Sequence, residues 1–407
     1  MHVQSSFLRK RESRQPIRAP ACVEVATRLR CVGICLGALA CYCISLLAFG
    51  TSFAIAAEPA EFRIGVVASV TGPFAAPTKD TFDGFNAWMK QRGLQGRKIV
   101  LQTLDDETNP VNAANAFRRL ASDPQIALIY LFINSNSAMA AKSFASEFKV
   151  PIITGGGADV LGIPPDPWMF KVAPSNRDYM MALSEYIKRK GYTKVAHLYS
   201  TDTFGQYDHT NLQKLAPQYG YKLVAEESFA IEDTSFNAQL TRIRAANPDL
   251  IYSSASARAA ILAFKQYKQL GLTPPLVVAG SAISEAFFNA IGGPASADGL
   301  MMMTQRGSLG DGLGGESAKY YAELKEGMGG RSPVFFNVFG FDVGLITAAA
   351  VAQSDGSRRG IRDALERLKD LPAINGPVTY TTQDHTGQDA RSIALARLQN
   401  GKPVPAD

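Results

Sequence analysis

The chain has 407 residues, 46% of them hydrophobic and 19% charged, with five cysteines and a formal net charge of +6. That length is enough for two or three domains with ample core, and no low-complexity tract places it among disordered or fibrous chains. The positive balance belongs to the start: residues 1–57 hold seven Lys/Arg and two acidic residues, leaving 35 basic against 34 acidic residues in the rest, which removes the electrostatic case for nucleic-acid binding.

Residues 1–57 read as a separate leader. Arg9, Lys10, Arg11, Arg14, Arg18, Arg28 and Arg30 form a basic head, Cys31–Phe49 is almost wholly apolar, and Ala54-Ile55-Ala56 is a small-x-small cleavage site ahead of Glu58-Pro59. This order predicts a secretory signal and a periplasmic mature protein. The head and apolar stretch are longer than usual, so an uncleaved anchor over Cys31–Ala57 is the alternative; Ala38-Leu39-Ala40-Cys41 is a poor lipoprotein site. All five cysteines lie in the leader. The exported part therefore has no disulfide framework, thiol nucleophile or cysteine metal site.

Beyond the leader, strand and helix signals alternate. Phe62–Val70 is a strand running into the turn Thr71–Phe74; Thr78–Arg92 is a helix; Lys98–Asp105 is a strand; Val111–Ala121 is a helix. The stretch from Ile126 to Asp159 organises the rest. Its apolar runs Ile126–Ile133 and Val150–Ile153 flank a helix with Met139, Phe144 and Phe148 on one face, and they stop at Asn134–Ser137 and Thr154–Gly157. Continuous apolar strands joined by helices predict a parallel sheet covered on both faces, and ligands sit at the carboxyl ends of such strands. Amides at a helix start suit an anion there. The stretch reads as a carboxylate shelf made by Ser135 and the amides of Gly155–Asp159, or as a pair of tight turns without a ligand.

Ile163–Trp168 is Pro-rich, Met169–Val172 is extended, and a crossing between lobes is expected at Ala173–Asn176. A second alternating series follows, from helix Asp178–Lys190 and strand Lys194–Tyr199 to strand Gly299–Thr304. Helices Glu316–Gly327, Asn337–Gln353 and Ser357–Leu368 and extended pieces Gly376–Thr381 and Ser392–Leu398 read as additions to the two sheets. The expectation is α/β, two Rossmann-like lobes: residues 58–173 with 305–380, and residues 174–304 with 381–402.

Several motifs carry little. Gly310–Gly315 matches G-x-G-x-x-G, but Arg306–Leu309 separate it from the preceding strand, so a surface loop is expected. His197, His209 and His385 show no ligand spacing. Ser135 has no His–acid pair placed to activate it, so it reads as a hydrogen-bond donor and not as a nucleophile.

The order Ile64-Gly65-Val66, Thr71-Gly72-Pro73, Gly96-Arg97-Lys98-Ile99, Val150-Pro151-Ile152-Ile153, Thr203-Phe204-Gly205, Asp233-Thr234-Ser235-Phe236, Asn247-Pro248-Asp249 and Gly376-Pro377-Val378 resembles the type I solute-binding proteins of ABC importers, in their leucine/isoleucine/valine-binding branch. The resemblance implies two lobes joined by three crossings, a small carboxylate ligand in the cleft, and a membrane permease as partner. No cofactor, metal, catalysis or stable oligomer is implied.

Carried over residue by residue, the family's carboxylate grip falls on Ser135, Gly156 and Ala158; Ala158 stands where Thr is usual, so only its amide can serve. Phe204 takes the place of a closing Tyr, Ser256 that of a second-lobe Tyr, and Ser281 that of the acid for the ligand ammonium. The family's pocket Trp falls near Pro77, with Phe74 close by. Lys171 stands where Arg is frequent, and a salt bridge or a ligand contact is expected of it. Trp168 lines the cleft or packs the hinge. Without the acid at Ser281 the expected ligand is an aromatic or branched acid in preference to a zwitterionic amino acid, unless Asp202 or Glu285 replaces that charge. A sensor on the same fold is the alternative function, ahead of a secreted enzyme.

Overall fold

In the computed structural model the described residues are 60–406 apart from Ile133. The leader with its cysteines, and the last residue of the apolar run at Ile133, lie outside them. Five strands, β1 (Ala60–Ala68), β2 (Arg97–Asp105), β3 (Ile126–Leu131), β4 (Ile152–Thr154) and β5 (Met169–Lys171), pair in parallel in the order β2-β1-β3-β4-β5. Side chains alternate across this sheet. Ile64 and Val66 join a core with helices α1 (Ala75–Gln91) and, later in the chain, Phe335–Ala352; Val67 joins the core under α2 (Pro110–Ala121) and α3 (Ser135–Phe148). The inner strands β3 and β4 are buried on both faces and so read as unbroken apolar runs, whereas the edge strand β2 is only partly covered.

The inward face of α3 differs from the expected one. Ala138, Ala141 and Ala145 are buried, whereas Met139, Phe144 and Phe148 are only half-buried. Small residues bring the helix close to the sheet. The aromatics reach sideways to α2, where Phe148 meets Phe117 edge-on and Arg118 lies 3.9 Å from the centre of the Phe144 ring.

The second sheet contains β6 (Lys194–Ser200), β7 (Lys222–Phe229), β8 (Leu250–Ser253), β9 (Leu276–Ala279) and β10 (Met301–Gln305), all parallel. After the short pair β11 (Thr379–Thr381) and β12 (Asp384–Gly387), the chain adds antiparallel β13 (Ile393–Gln399) and β14 (Lys402–Pro405) beside β10, giving the order β14-β13-β10-β9-β8-β6-β7. Helix α4 (Asn176–Lys190) covers one face through Met180, Leu183 and Ile187. Helices α5 (Thr203–Tyr219), α6 (Asn237–Ala245), α7 (Ala257–Gln269) and α8 (Glu285–Ile291) follow successive strands.

After β10 the chain returns to the first sheet with α9 (Gly315–Gly327), α10 (Phe335–Ala352) and α11 (Arg358–Glu366). Helix α10 is long and apolar enough to cross a membrane, yet 78% of it is buried inside the protein. It crosses α1 at close range: a Cβ added at Gly84 would stand 1.9 Å from the Asn337 carbonyl oxygen, and one at Gly340 2.0 Å from that of Thr81. A boundary at 380/381 cuts the β11–β12 hairpin, which stays with the first sheet: Tyr380 donates its hydroxyl to the Lys171 carbonyl at 2.7 Å. The last passage to the second sheet therefore falls after β12, not before it.

Candidate functional site

The carboxyl ends of both parallel sheets face one cavity of about 690 Å³, its open mouth included. Ser135 lines it. The Asn134 side chain caps α3 by accepting the Ser137 amide at 2.7 Å, which fixes Ser135 as the first helical residue. Ser135 is buried, and its Oγ accepts the Ala158 amide at 3.1 Å. Opposite, β4 ends at Thr154, whose Oγ1 accepts the Gly156 amide at 3.2 Å.

Gly156 and Ala158 therefore stand apart from the lining. Their amides are engaged with Thr154 and Ser135, and a Cβ at Gly156 would point at Leu161. Gly155 and Gly157 line the cavity instead. Neither position has room for a side chain: a Cβ at Gly155 would come within 2.4 Å of the Phe339 ring, and one at Gly157 within 3.0 Å of the Phe204 ring.

Phe74, Phe204, Ser256 and Ser281 all line the same cavity. Phe204 is set by the start of α5, where Asp202 accepts the Gly205 amide at 2.9 Å and the Ser200 hydroxyl at 2.7 Å. Ser256 precedes α7 without a capping bond from its side chain, and Ser281 Oγ is buried without a partner among the described residues. Sequence reasoning missed Tyr179, Asp208, Tyr252, Met303, Phe335 and Phe336, which complete the walls. Asp208 was within reach, because it follows Phe204 by four residues and so shares its helix face. The Phe335–Phe336 pair comes from the start of α10, and no local pattern ties it to the other walls.

Asp208 is the buried acid of the site. Its carboxylate accepts bonds from Asn176 Nδ2 and, at 2.8 Å, from the Tyr252 hydroxyl. Burial still outweighs these bonds and pushes its pKa up to about 7. Tyr179 is driven well above its ordinary value by burial and by the neighbouring Asp208, and its hydroxyl has no partner among the described residues. Glu285 does not reach the site as a free charge: Arg331 bridges it to Asp83 of α1. Two further contacts join the halves: Asn136 Oδ1 accepts the Thr203 amide at 2.9 Å, and Asp159 accepts Asn211 Nδ2 at 2.8 Å.

Among the described residues Lys171 has no salt-bridge partner; it lies behind the wall, donating to backbone carbonyls. Trp168 is half-buried against the core of α2 and α3. His197 is fully buried, bonded to Ser254 Oγ at 2.6 Å, and burial holds its pKa well below the usual value. Among the described residues no group of three or more His, Cys, Asp or Glu is placed to hold a metal. Gly310 forms the kink inside the 3-10 segment Arg306–Gly312, close against the Tyr321 ring.

Residues 61–403 match the model of the family described as Periplasmic binding protein. The Leu/Ile/Val-binding protein homolog 3 of Brucella melitensis is 24% identical over 61% of this chain and 69% of its own length. An extracellular ligand-binding receptor from Rhodopseudomonas palustris HaA2 superposes with a TM-score of 0.77 at 26% identity, covering 85% of this chain and 100% of that one. A solute-binding protein of an R. palustris ABC transporter, solved in complex with benzoate, gives a TM-score of 0.75 at 21% identity over 85% and 95% of the two chains. The fold is that of the type I periplasmic binding proteins, and the chain belongs to the Periplasmic binding protein family, as an extracytoplasmic solute-binding protein of the transport type.

Proposed function

We propose that this chain is the substrate-binding subunit of a branched-chain amino acid-type ABC importer, and that its ligand is a small aromatic or branched acid without an ammonium group. The carrying observation is the pairing of Ser135 with Ala158. Because Ser135 Oγ accepts an amide, its proton is free to be donated into the cavity, beside the bare backbone of Gly155 and Gly157. A carboxylate is the acceptor that suits this wall. The remaining wall is largely apolar, with Phe74, Phe204, Phe335, Phe336 and Met303 around the space, and an aromatic ring buries on the order of 150 Å² there, worth about 4 kcal/mol before the costs of association.

Each acid near the cavity already has hydrogen-bond or ion-pair partners, which weakens the case for an ammonium there. Ser281 has no charge, Asp202 holds Ser200 and Gly205, Glu285 is paired with Arg331, and Asp208 has accepted Asn176 and Tyr252. The benzoate-bound R. palustris relative is in keeping with this class of ligand. Binding selects the state in which the halves meet around the ligand, and that state presents a joint surface to the permease. The two lobes and their three passages act as the hinge.

Calorimetric titration tests the reading, with benzoate, phenylacetate and 4-methyl-2-oxopentanoate against leucine, valine and phenylalanine. Saturable binding of at least one acid, with the amino acids at least tenfold weaker, is expected. Tight binding of leucine or valine with none of the acids would overturn it.

A further inference from the structure

Lys171 ends β5, where the chain leaves the first sheet, and its side chain is wholly buried. Among the described residues no carboxylate lies within ion-pairing distance of it. Its Nζ donates instead to three carbonyl oxygens: Gly157 at 3.0 Å, Pro174 at 3.3 Å and Ala158 at 3.5 Å. The buried ammonium is thus compensated by hydrogen bonds and, at longer range, by Asp159, Asp178 and Asp384, without a direct ion pair, so a bound anion nearby would add to its compensation.

The three carbonyls show where it belongs. Gly157 lines the cavity, and Ala158 holds Ser135 through its amide. Pro174 lies on the passage between the sheets. The ammonium thus sits directly behind the wall that carries Ser135, with the Gly157–Ala158 peptide between it and the cavity. On the cavity side the ionisable acids are Asp202 and Asp208. An anion placed there is opposed by the charge of these acids, and the Lys171 ammonium behind the wall offsets it, in surroundings where water screens little.

We propose that Lys171 is the positioning cation for the ligand's carboxylate, making the cavity select anions over neutral molecules of the same shape without touching them. This rests on the proposed reading of the cavity as a carboxylate site. It assigns to Lys171 the discrimination of charge, and leaves to Ser135 and the glycines the direct grip.

Burial lowers the Lys171 pKa to about 8, with Asp159, Asp178 and Asp384 acting against that shift, so the ammonium is mostly protonated at neutral pH. The other titratable group packed nearby, His385 on β12, is held below its ordinary range by burial and is already neutral there. Asp208, near 7, lines the same cavity, and its ionisation overlaps the lower part of the range in which Lys171 loses its proton.

The test is titration calorimetry on the exported protein with two acid–amide pairs, benzoate with benzamide and phenylacetate with phenylacetamide, on wild type, Lys171→Met and Lys171→Arg. Wild type is expected to favour the acid of a bound pair at least tenfold. Lys171→Met is expected to lose most of that preference through weaker acid binding, with the amide unchanged, and Lys171→Arg to regain part of it. In the wild type the acid's affinity falls as pH rises from about 7.5 to 9.5 while the amide's stays flat, and the fall persists in Asp208→Asn, which removes the other acid titrating near this range. An unchanged acid-to-amide ratio in a folded Lys171→Met, or a flat acid profile in the wild type, overturns the assignment while leaving the acid-binding reading intact. Failure of the wild type to bind any acid, including 4-methyl-2-oxopentanoate, sinks that reading and the assignment with it.

Discussion

Ala158 donates its backbone amide to Ser135 Oγ at 3.1 Å, across a gap of 23 residues in sequence. This bond fixes the direction in which the hydroxyl can give its own proton, because the lone pair facing the turn is used. The residue expected to grip a carboxylate is thus aimed by another residue expected to do the same. Removing the hydroxyl by Ser135→Ala should cost about 1.5–3 kcal/mol of acid affinity, the worth of a hydrogen bond to a charged group, or roughly ten- to a hundredfold. Calorimetry on the variant measures it, and its thermal midpoint should fall by only a few degrees.

Gly157 governs how closely the halves approach. A methyl group there would stand 3.0 Å from the Phe204 ring and 3.2 Å from Asn176 Oδ1. Gly157→Ala should therefore hold the halves apart and weaken the ligand, while the isolated first sheet keeps its packing. Small-angle scattering with and without a bound acid is expected to show compaction in the wild type and less of it in the variant.

Asp208, Asp342 and Asp80 all have pKa values raised to about 7, chiefly by burial. A carboxyl whose folded pKa lies above its unfolded one binds more protons folded than unfolded between about pH 4 and pH 7. Its contribution to stability is fully present below the unfolded value and is lost as pH rises through the folded one. Urea unfolding should then give a lower stability at about pH 7.5 than at about pH 5 from these groups. Asp208→Asn, which carries no titrating proton, should show a shallower decline; an equally steep decline would refute the assignment to Asp208.

Arg331 joins Asp83 of α1 to Glu285 of α8 with its side chain 45% exposed. Solvent screens such a pair, so it is worth at most about 1 kcal/mol. Arg331→Ala should speed ligand release by no more than about fivefold, with a smaller effect in high salt, and stopped-flow fluorescence would record both.

Much of the fold was legible because the parallel strands are buried on both faces. The expected strand Lys194–Tyr199 falls within one residue of the observed Lys194–Ser200, since an apolar run between turn residues has one reading in such a sheet. β12 and β14 were missed. Asp384-His385-Thr386-Gly387 and Lys402-Pro403-Val404-Pro405 carry no apolar alternation, and tertiary pairing alone makes them strands. The inward face of α3 was misread for a related reason, because alanines bury as completely as aromatics when a helix must lie close. At the site, Ser135, Phe74, Phe204, Ser256 and Ser281 came from the order of motifs along the chain. Tyr179 and Tyr252 join Asp208 through contacts between α4, α5 and β8, which no local spacing announces.

The most direct measurement is a crystal structure of the exported protein with benzoate, or with the tightest acid of the titrated series. The account predicts the carboxylate within hydrogen-bond distance of Ser135 Oγ and the apolar body among Phe74, Phe204 and Phe335. A ligand whose ammonium rests on Asp208, or a carboxylate bound away from Ser135, would contradict it.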